Sequence, residues 1–152
     1  MSKIVLVTGA TDGIGKMTAL RLAQQGCHVI VHGRDKDRVA DTIAAVKQKV
    51  GSSAKLDSSV FDLSSLEAVC AGAQDLLQRF SKIDILLNNA GTYQKEKKLS
   101  KDGFELTMAI NHFGPTLLTF LLKPALVKSL EAKVIFVSSV AHNRSEEHTS
   151  EL

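Results

Sequence analysis

Apolar residues along the first fifty positions change repeatedly between two spacings. Ile4–Val7 is a short continuous apolar run, and over residues 14–25 apolar side chains then recur at helical intervals. A second run, rich in β-branched residues, covers 28–32 and is followed by one apolar helical face over 35–50. The pattern predicts two successive strand–helix units.

The same alternation continues to residue 137. Ser64 and Glu67 have the spacing of a helix-capping pair, and Pro115 is expected to kink the long helix that contains it because proline has no backbone N–H. The further predicted elements are strands at 59–61, 83–87 and 133–137, helices at 64–80 and 104–128, and a polar, lysine-rich loop at 92–102. Strands alternating with helices predict an α/β fold with a doubly wound, Rossmann-like parallel sheet.

The composition is that of one globular domain. The chain has 152 residues, of which 44% are apolar and 23% charged, enough to bury a single core. Its net charge of +3 comes from basic residues interleaved with acids, so no nucleic-acid partner is expected. Cys27 and Cys70 match no metal or disulfide spacing, and no stretch is long enough for a transmembrane segment. We expect a soluble, cytoplasmic protein that binds no metal.

The turn after the first predicted strand is rich in glycine and opens the first helix. Glycines at this place allow a tight turn, close approach to a pyrophosphate and packing of the helix start against the sheet. The helix N-terminus then offers free N–H groups and a partial positive charge to phosphate. Glycines also serve as simple turn residues, but this context favours dinucleotide binding. The candidate binding residues are Thr8, Gly9, Asp12, Gly13, Ile14 and Gly15.

The end of the second strand indicates which dinucleotide is bound. An NAD site usually presents a carboxylate there to the ribose 2′-hydroxyl, whereas a basic side chain pairs with the extra phosphate of NADP. Gly33 leaves the usual acidic place empty, and Arg34 supplies a fork of donors suited to phosphate. NADP is therefore favoured. NAD stays open, since Asp35 would meet the ribose if the strand ended one or two residues later.

Four motifs together resemble the short-chain dehydrogenase/reductase family. They are Thr-Gly-x-x-x-Gly-Ile-Gly at 8–15, Asn-Asn-Ala-Gly at 88–91, Asn111 in the long helix, and Ser138-Ser139 after the fifth strand. The resemblance covers residues 1 to about 143. The sequence at 62–66 and 111–115 is most similar to retinol-dehydrogenase-like members.

The resemblance implies further contacts to the cofactor. Asp62 would meet the adenine with its side chain and Leu63 with its backbone, although an Asp before a helix can equally cap the turn at Ser64. The ribose would lie against Asn89, Ala90 and Gly91.

The resemblance also implies hydride transfer between a nicotinamide and a carbonyl or alcohol carbon. Ser139 would hold the substrate oxygen, and Asn111 would help to place a water in a proton relay. The family's general acid is a Tyr followed four residues later by a Lys. Tyr93 is the single tyrosine of the chain, and although Lys97 has this spacing, the pair precedes Ser139, whereas the family's tyrosine follows it.

We therefore expect this chain to be an inactive, C-terminally truncated part of such an oxidoreductase. Its parent would act on a small-molecule carbonyl or alcohol, such as a retinoid, a steroid or another lipidic carbonyl, and the resemblance is compatible with a homodimer. The alternative is a dinucleotide-binding or interaction domain without catalysis.

The last nine residues, 144–152, look foreign to the rest of the chain. Their sequence equals, codon for codon, one reading frame of a widely used sequencing-adapter oligonucleotide. We expect this segment to be an artefact that is disordered and takes no part in the fold, so that the dinucleotide-binding domain is confined to residues 1–143.

Overall fold

The computed structural model describes residues 2–139, which form a five-stranded parallel sheet in the order β3-β2-β1-β4-β5. The strands are β1 (Ile4–Val7), β2 (His28–Gly33), β3 (Leu56–Val60), β4 (Ile85–Asn88) and β5 (Lys133–Phe136). The first three helices are α1 (Gly13–Gln24), α2 (Lys36–Val50) and α3 (Leu66–Arg79). After β4 come α4 (Leu106–Met108), a π-helical segment (Ala109–Phe113), α5 (Gly114–Leu121) and α6 (Lys123–Leu126). The predicted tail at 144–152 lies outside the described residues.

The sheet is built outward from β1. Val5 of β1 aligns with Val29 of β2 on one side and with Ile85 of β4 on the other. The strand order therefore changes direction between β1 and β4, the kind of switch point at which open α/β sheets bind ligands beyond the carboxyl ends of their strands. The predicted Rossmann-like fold class is confirmed.

Two apolar cores hold helices against opposite faces of the sheet. Successive side chains of a strand point to opposite faces, so Leu6 packs with α3, α5 and α6, while Val5 and Val7 pack with α1 and α2. The central strands are buried on both faces, which explains their continuous apolar runs.

The third strand differs from its prediction. It runs over Leu56–Val60 instead of 59–61, because an edge strand tolerates polar residues and Asp57 is held by Arg79 at 3.2 Å. The predicted cap of α3 is also wrong by one residue. Ser65, not Ser64, accepts from the Ala68 N–H at 3.3 Å, because the helix begins at Leu66.

The predicted long helix is divided into shorter pieces. The Gly114 N–H bonds to the carbonyl of Ala109, five residues back, and Pro115 has no N–H to offer the carbonyl of Asn111. The predicted interruption at Pro115 therefore takes the form of a π-helical segment that ends just before it, a feature frequent at functional sites. Among residues 2–139, no helix has the length and apolar character needed to cross a membrane.

Candidate functional site

A cleft of about 590 Å³ lies beyond the carboxyl ends of β1, β2 and β4. Its size is within the usual range for small-molecule sites. Most of the residues predicted to bind a cofactor line it: Gly9, Asp12, Gly13, Ile14, Gly15, Arg34, Asp62, Leu63, Asn89, Ala90 and Gly91. The structure thus brings together segments that are more than eighty residues apart in the sequence.

The floor of the cleft is the glycine-rich turn after β1. Gly9 has a positive φ of 63°, and a Cβ there would lie 2.7 Å from the Cα of Ala90. A Cβ on Gly15 would lie 2.2 Å from the carbonyl oxygen of Gly9. Since real Cβ atoms do not approach backbone so closely, both positions require glycine. The first turn of α1 therefore packs tightly against the carboxyl ends of the central strands.

Thr8 holds this turn in place through hydrogen bonds. It is fully buried, and its hydroxyl oxygen accepts from the N–H groups of Asn89 and Ala90, both at 3.0 Å. Asn89 returns the contact by donating its side-chain amide to the Thr8 carbonyl at 2.9 Å. Thr8 was predicted as a cofactor contact, but it is not among the residues that line the cleft. Its hydrogen bonds instead join β1 to the turn after β4.

His32 is a site residue that the sequence analysis missed. Its buried ring lines the cleft, with Nδ1 facing the Gly9 N–H and Nε2 lying 3.1 Å from the Phe61 carbonyl. If Nδ1 accepts, Nε2 must donate, which requires the neutral imidazole. Burial lowers the pKa of His32 to about 4, although the hydrogen bond to Phe61 and the charge of Asp62 oppose this shift. A histidine just before the last residue of a strand carries no sequence signal for this role.

The N-terminus of α1 opens into the cleft. Asp12 is its N-cap and accepts from the Gly13 N–H at 2.7 Å. This hydrogen bond, followed by the contact to Arg38, lowers the pKa of Asp12, so the carboxylate is ionised at neutral pH. The following N–H groups of the first turn have no partners within an α-helix and are oriented to bind an anion.

The end of β2 matches the chemistry expected for a phosphate. The strand ends at Gly33, where a Cβ would lie 2.6 Å from Cγ2 of Thr11, so no acidic side chain fits. Asp35 lies beyond the strand and caps α2 by accepting from the N–H groups of Asp37 and Arg38 at 2.9 and 3.0 Å. Arg34 is exposed and lines the cleft. One oxygen of Asp35, Oδ1, is therefore engaged at the start of α2, and Asp35 itself also lines the cleft.

Asp62 and Leu63 form the wall of the cleft after β3. The Asp62 carboxylate accepts from the Ser64 N–H at 2.8 Å. This is the turn-capping role, one of the two roles that the sequence allowed for Asp62, the other being contact with the adenine. The Leu63 carbonyl would lie 2.3 Å from a Cβ on Gly114. The glycine that opens α5 therefore lets this helix pack directly against the wall.

Asn111 lies in the π-helical segment, opposite the turn after β4. Its Oδ1 accepts from the Thr92 N–H at 2.8 Å, and its Nδ2 donates to the Thr92 carbonyl at 2.9 Å. A Cβ on Gly91 would lie 3.6 Å from that Oδ1. Asn111 thus fixes the loop that lines the cleft, and its predicted part in a proton relay stays a prediction.

The remaining catalytic candidates lie near the end of the described chain or in a loop. Ser139 follows β5 by three residues and is exposed, while Val137, two residues earlier, lines the cleft. Tyr93 is 80% exposed in the loop after β4, and its rejection as the general acid stays a prediction. Within residues 2–139, no cluster of histidine, cysteine and acidic side chains could hold a metal ion.

Comparison with known proteins agrees with this geometry. The family profile described as short chain dehydrogenase matches residues 3–151. Retinol dehydrogenase 14 of Mus musculus is 35% identical over 153 residues, which cover 95% of this chain and 46% of that protein. Retinol dehydrogenase 13 of Homo sapiens is 38% identical over 142 residues, or 92% of this chain and 42% of that protein.

A solved short chain dehydrogenase from Shigella flexneri, complexed with NADP, superposes with a TM-score of 0.80. It is 28% identical, and the match covers 93% of this chain and 61% of that structure. The chain spans less than half the length of the two retinol dehydrogenases. Its fold, its glycine turn and these relatives together show that the chain belongs to the short-chain dehydrogenase family, among its retinol-dehydrogenase-like members.

Proposed function

We propose that this chain is the NADP-binding part of an oxidoreductase that transfers a hydride between the nicotinamide and a carbonyl or alcohol substrate. The observation that carries the proposal is the close packing of Gly9 and Gly15 beneath the N-terminus of α1, which clears backbone N–H groups for a pyrophosphate. The bound cofactor would supply or accept the hydride, and the chain's own residues would bind and orient it.

The preference for NADP rests on Arg34. Arg34 lines the cleft where β2 ends, and the planar fork of donors of a guanidinium suits a phosphate better than a ribose hydroxyl. The NADP complex of the Shigella flexneri relative is consistent with this proposal.

The substrate of the whole protein is proposed to be an apolar carbonyl or alcohol. Part of the cleft is lined by Ile14, Ile110 and Val137, and Ile14 is 72% exposed. An apolar molecule would bury this surface favourably. The relatives named retinol dehydrogenases support a lipidic substrate, which Ser139 would hold through its hydroxyl.

The 152-residue chain itself is proposed to bind NADP without turnover, because Tyr93, its single tyrosine, is an exposed loop residue. Calorimetric titration with NADP and NAD tests the first part, and loss of NADPH absorbance in the presence of retinaldehyde tests the second. Arg34→Ala should weaken NADP by about tenfold or more and leave NAD almost unchanged, since a hydrogen bond to a charged group contributes about 1.5–3 kcal/mol.

Lys36→Ala, which removes an exposed charge at the start of α2 outside the cleft, is the matched control and should leave both affinities unchanged. Binding of neither dinucleotide would refute the proposed function. Turnover by the chain would refute the proposal that it lacks the general acid.

A further inference from the structure

An ion pair crosses the mouth of the cleft beside the proposed phosphate position. Nη2 of Arg38 lies 3.1 Å from Oδ2 of Asp12, so the first turn of α2 contacts the N-cap of α1. Both residues line the cleft together with Arg34. Nothing in the packing of the fold requires this contact, because the two side chains are 53% and 85% exposed.

We infer that Arg38 is a second determinant of NADP selectivity and that Asp12 opposes it by holding the guanidinium until a 2′-phosphate takes the carboxylate's place. This inference rests on the proposed function of the cleft as a dinucleotide site. It adds to Arg34 a partner exchange between Asp12 of the glycine-rich turn and Arg38, a residue to which no sequence motif pointed.

The charges favour the exchange. An exposed ion pair contributes little to stability, since water screens it and both side chains lose freedom in forming it. A phosphate monoester carries nearly two negative charges at neutral pH and has three acceptor oxygens, whereas the Asp12 carboxylate carries one charge. Arginine can bind two phosphate oxygens at once, so Arg38 gains by leaving Asp12 for the phosphate.

The selectivity follows from the same contact. NAD has a neutral hydroxyl in place of the phosphate. It therefore does not compete with the Asp12 carboxylate for Arg38, and the ion pair is retained. Asp12 also accepts from the Gly13 N–H through Oδ1, which keeps its carboxylate in place at the helix N-terminus after Arg38 has left. The carboxylate thus remains a competitor of the phosphate for Arg38.

The test is calorimetric titration of the full 152-residue chain and its variants with NADP and with NAD. Arg38→Ala should weaken NADP by about tenfold or more, the effect of one lost charge-assisted hydrogen bond, and change NAD by less than about twofold. Asp12→Asn should raise the ratio of NADP to NAD affinities a few-fold. In the double variant this gain should disappear, because Asp12 acts through Arg38.

The matched controls remove one charge of each sign outside the cleft. Arg21→Ala on α1 and Asp37→Asn on α2 involve exposed residues, and they should leave the ratio of NADP to NAD affinities unchanged. Arg38→Lys keeps the positive charge but cannot bind two phosphate oxygens at once. It should therefore bind NADP more tightly than Arg38→Ala and more weakly than the unmodified chain.

Three results would overturn the inference. Equal weakening of both dinucleotides by Arg38→Ala would mean that Arg38 does not read the phosphate. Persistence of the Asp12→Asn gain in the Arg38→Ala background would mean that no exchange takes place. Binding of neither dinucleotide to the unmodified chain would refute the proposed function and the inference together, whereas the first two results would leave the proposed function standing.

Discussion

Nδ1 of His32 accepts a hydrogen bond from the backbone N–H of Gly9 at 3.4 Å and so connects the end of β2 to the glycine turn after β1. The opposite ring nitrogen contacts the Phe61 carbonyl at the end of β3, and the His32 and Phe61 rings pack with centroids 4.2 Å apart. One neutral imidazole therefore joins the carboxyl ends of three strands under the cleft.

The first prediction is that His32 makes the fold less stable in mild acid. Burial lowers the pKa of His32 from 6.5 to about 4, so the unfolded chain takes up a proton at a higher pH than the folded chain does. Stability should be unaffected above pH 6.5, fall as the pH decreases from there to about 4, and reach its full loss below that. The loss should be roughly 3 kcal/mol.

Urea unfolding at pH 7 and pH 4.5 measures this loss, and His32→Gln isolates it. The variant should be less stable than the unmodified protein at pH 7, because a buried hydrogen bond is lost, yet should decline less between the two pH values. His112→Gln removes an exposed histidine and should keep the full decline. Equal declines in the unmodified protein and in His32→Gln would contradict the prediction.

The sequence predicted the parts of the site that depend on local backbone chemistry. The need for glycine at residues 9 and 15 follows from a tight turn into a helix, and the structure confirms close packing at both places. The contribution of His32 could not be predicted, because its partner carbonyl belongs to Phe61, which lies 29 residues away in the sequence. Such contacts depend on strand order and register, which no local pattern contains.

The errors in the predicted elements have similar causes. The first half of β3 was not predicted because it contains polar residues. A strand tolerates such residues at the edge of a sheet, and the position of β3 at the edge is not visible in the sequence. Ser64 and Ser65 are both suitable caps, and the choice between them depends on where α3 begins to pack. The Asp12–Arg38 pair likewise joins two helices whose approach is a property of the whole fold.

The second prediction concerns Gly15. Gly15→Ala places a methyl group 2.2 Å from the Gly9 carbonyl oxygen and 2.4 Å from Nδ2 of Asn89, so the turn must shift and its N–H groups lose their alignment. NADP should bind about ten- to a hundredfold more weakly, as expected for one lost charge-assisted hydrogen bond. Isothermal titration calorimetry measures the effect.

Gly103→Ala is the control for backbone strain. Gly103 has a positive φ of 81°, and an added Cβ would meet nothing within 4 Å, so this variant should lose about 1 kcal/mol of stability without any change in NADP affinity. Unchanged NADP binding by Gly15→Ala would show that the glycine turn does not form the phosphate site.

The third prediction assigns a structural task to Asp84. Its carboxylate is buried, and burial alone would raise its pKa, but hydrogen bonds from the Ser129 hydroxyl, the Ile4 N–H and Lys82 together lower the pKa to about 2. The group is thus ionised in the folded protein and ties the starts of β1 and β4 to the turn before β5.

Asp84→Asn should lower the unfolding free energy by roughly 2 kcal/mol at pH 7. Because the folded pKa lies below the ordinary value of 3.8, this contribution should be complete above pH 3.8 and disappear as the pH falls towards 2. Chemical denaturation at pH 7 and pH 3 measures it. Asp41→Asn, on the exposed surface of α2, should have little effect, and equal stability of the two variants would contradict the role of Asp84.

The fourth prediction concerns β5, which pairs only with β4 among the described residues. Its apolar side chains remain partly exposed, with Ile135 at 43% and Phe136 at 51%. An open edge with apolar side chains can pair with another copy of the chain, so we expect the 152-residue chain to self-associate. Size-exclusion chromatography with light scattering should show oligomers that increase with concentration.

Ile135→Lys should shift the chain towards the monomer, because a lysine on an edge strand disfavours pairing with a second edge. Val60→Lys is the matched control on the opposite edge. Val60 is 42% exposed on β3, where Arg79 already donates to the Ser58 carbonyl at 3.0 Å and so obstructs this edge. The control should leave the oligomers unchanged. A monodisperse unmodified chain with a cooperative thermal transition would show instead that the exposed β5 edge does not drive association.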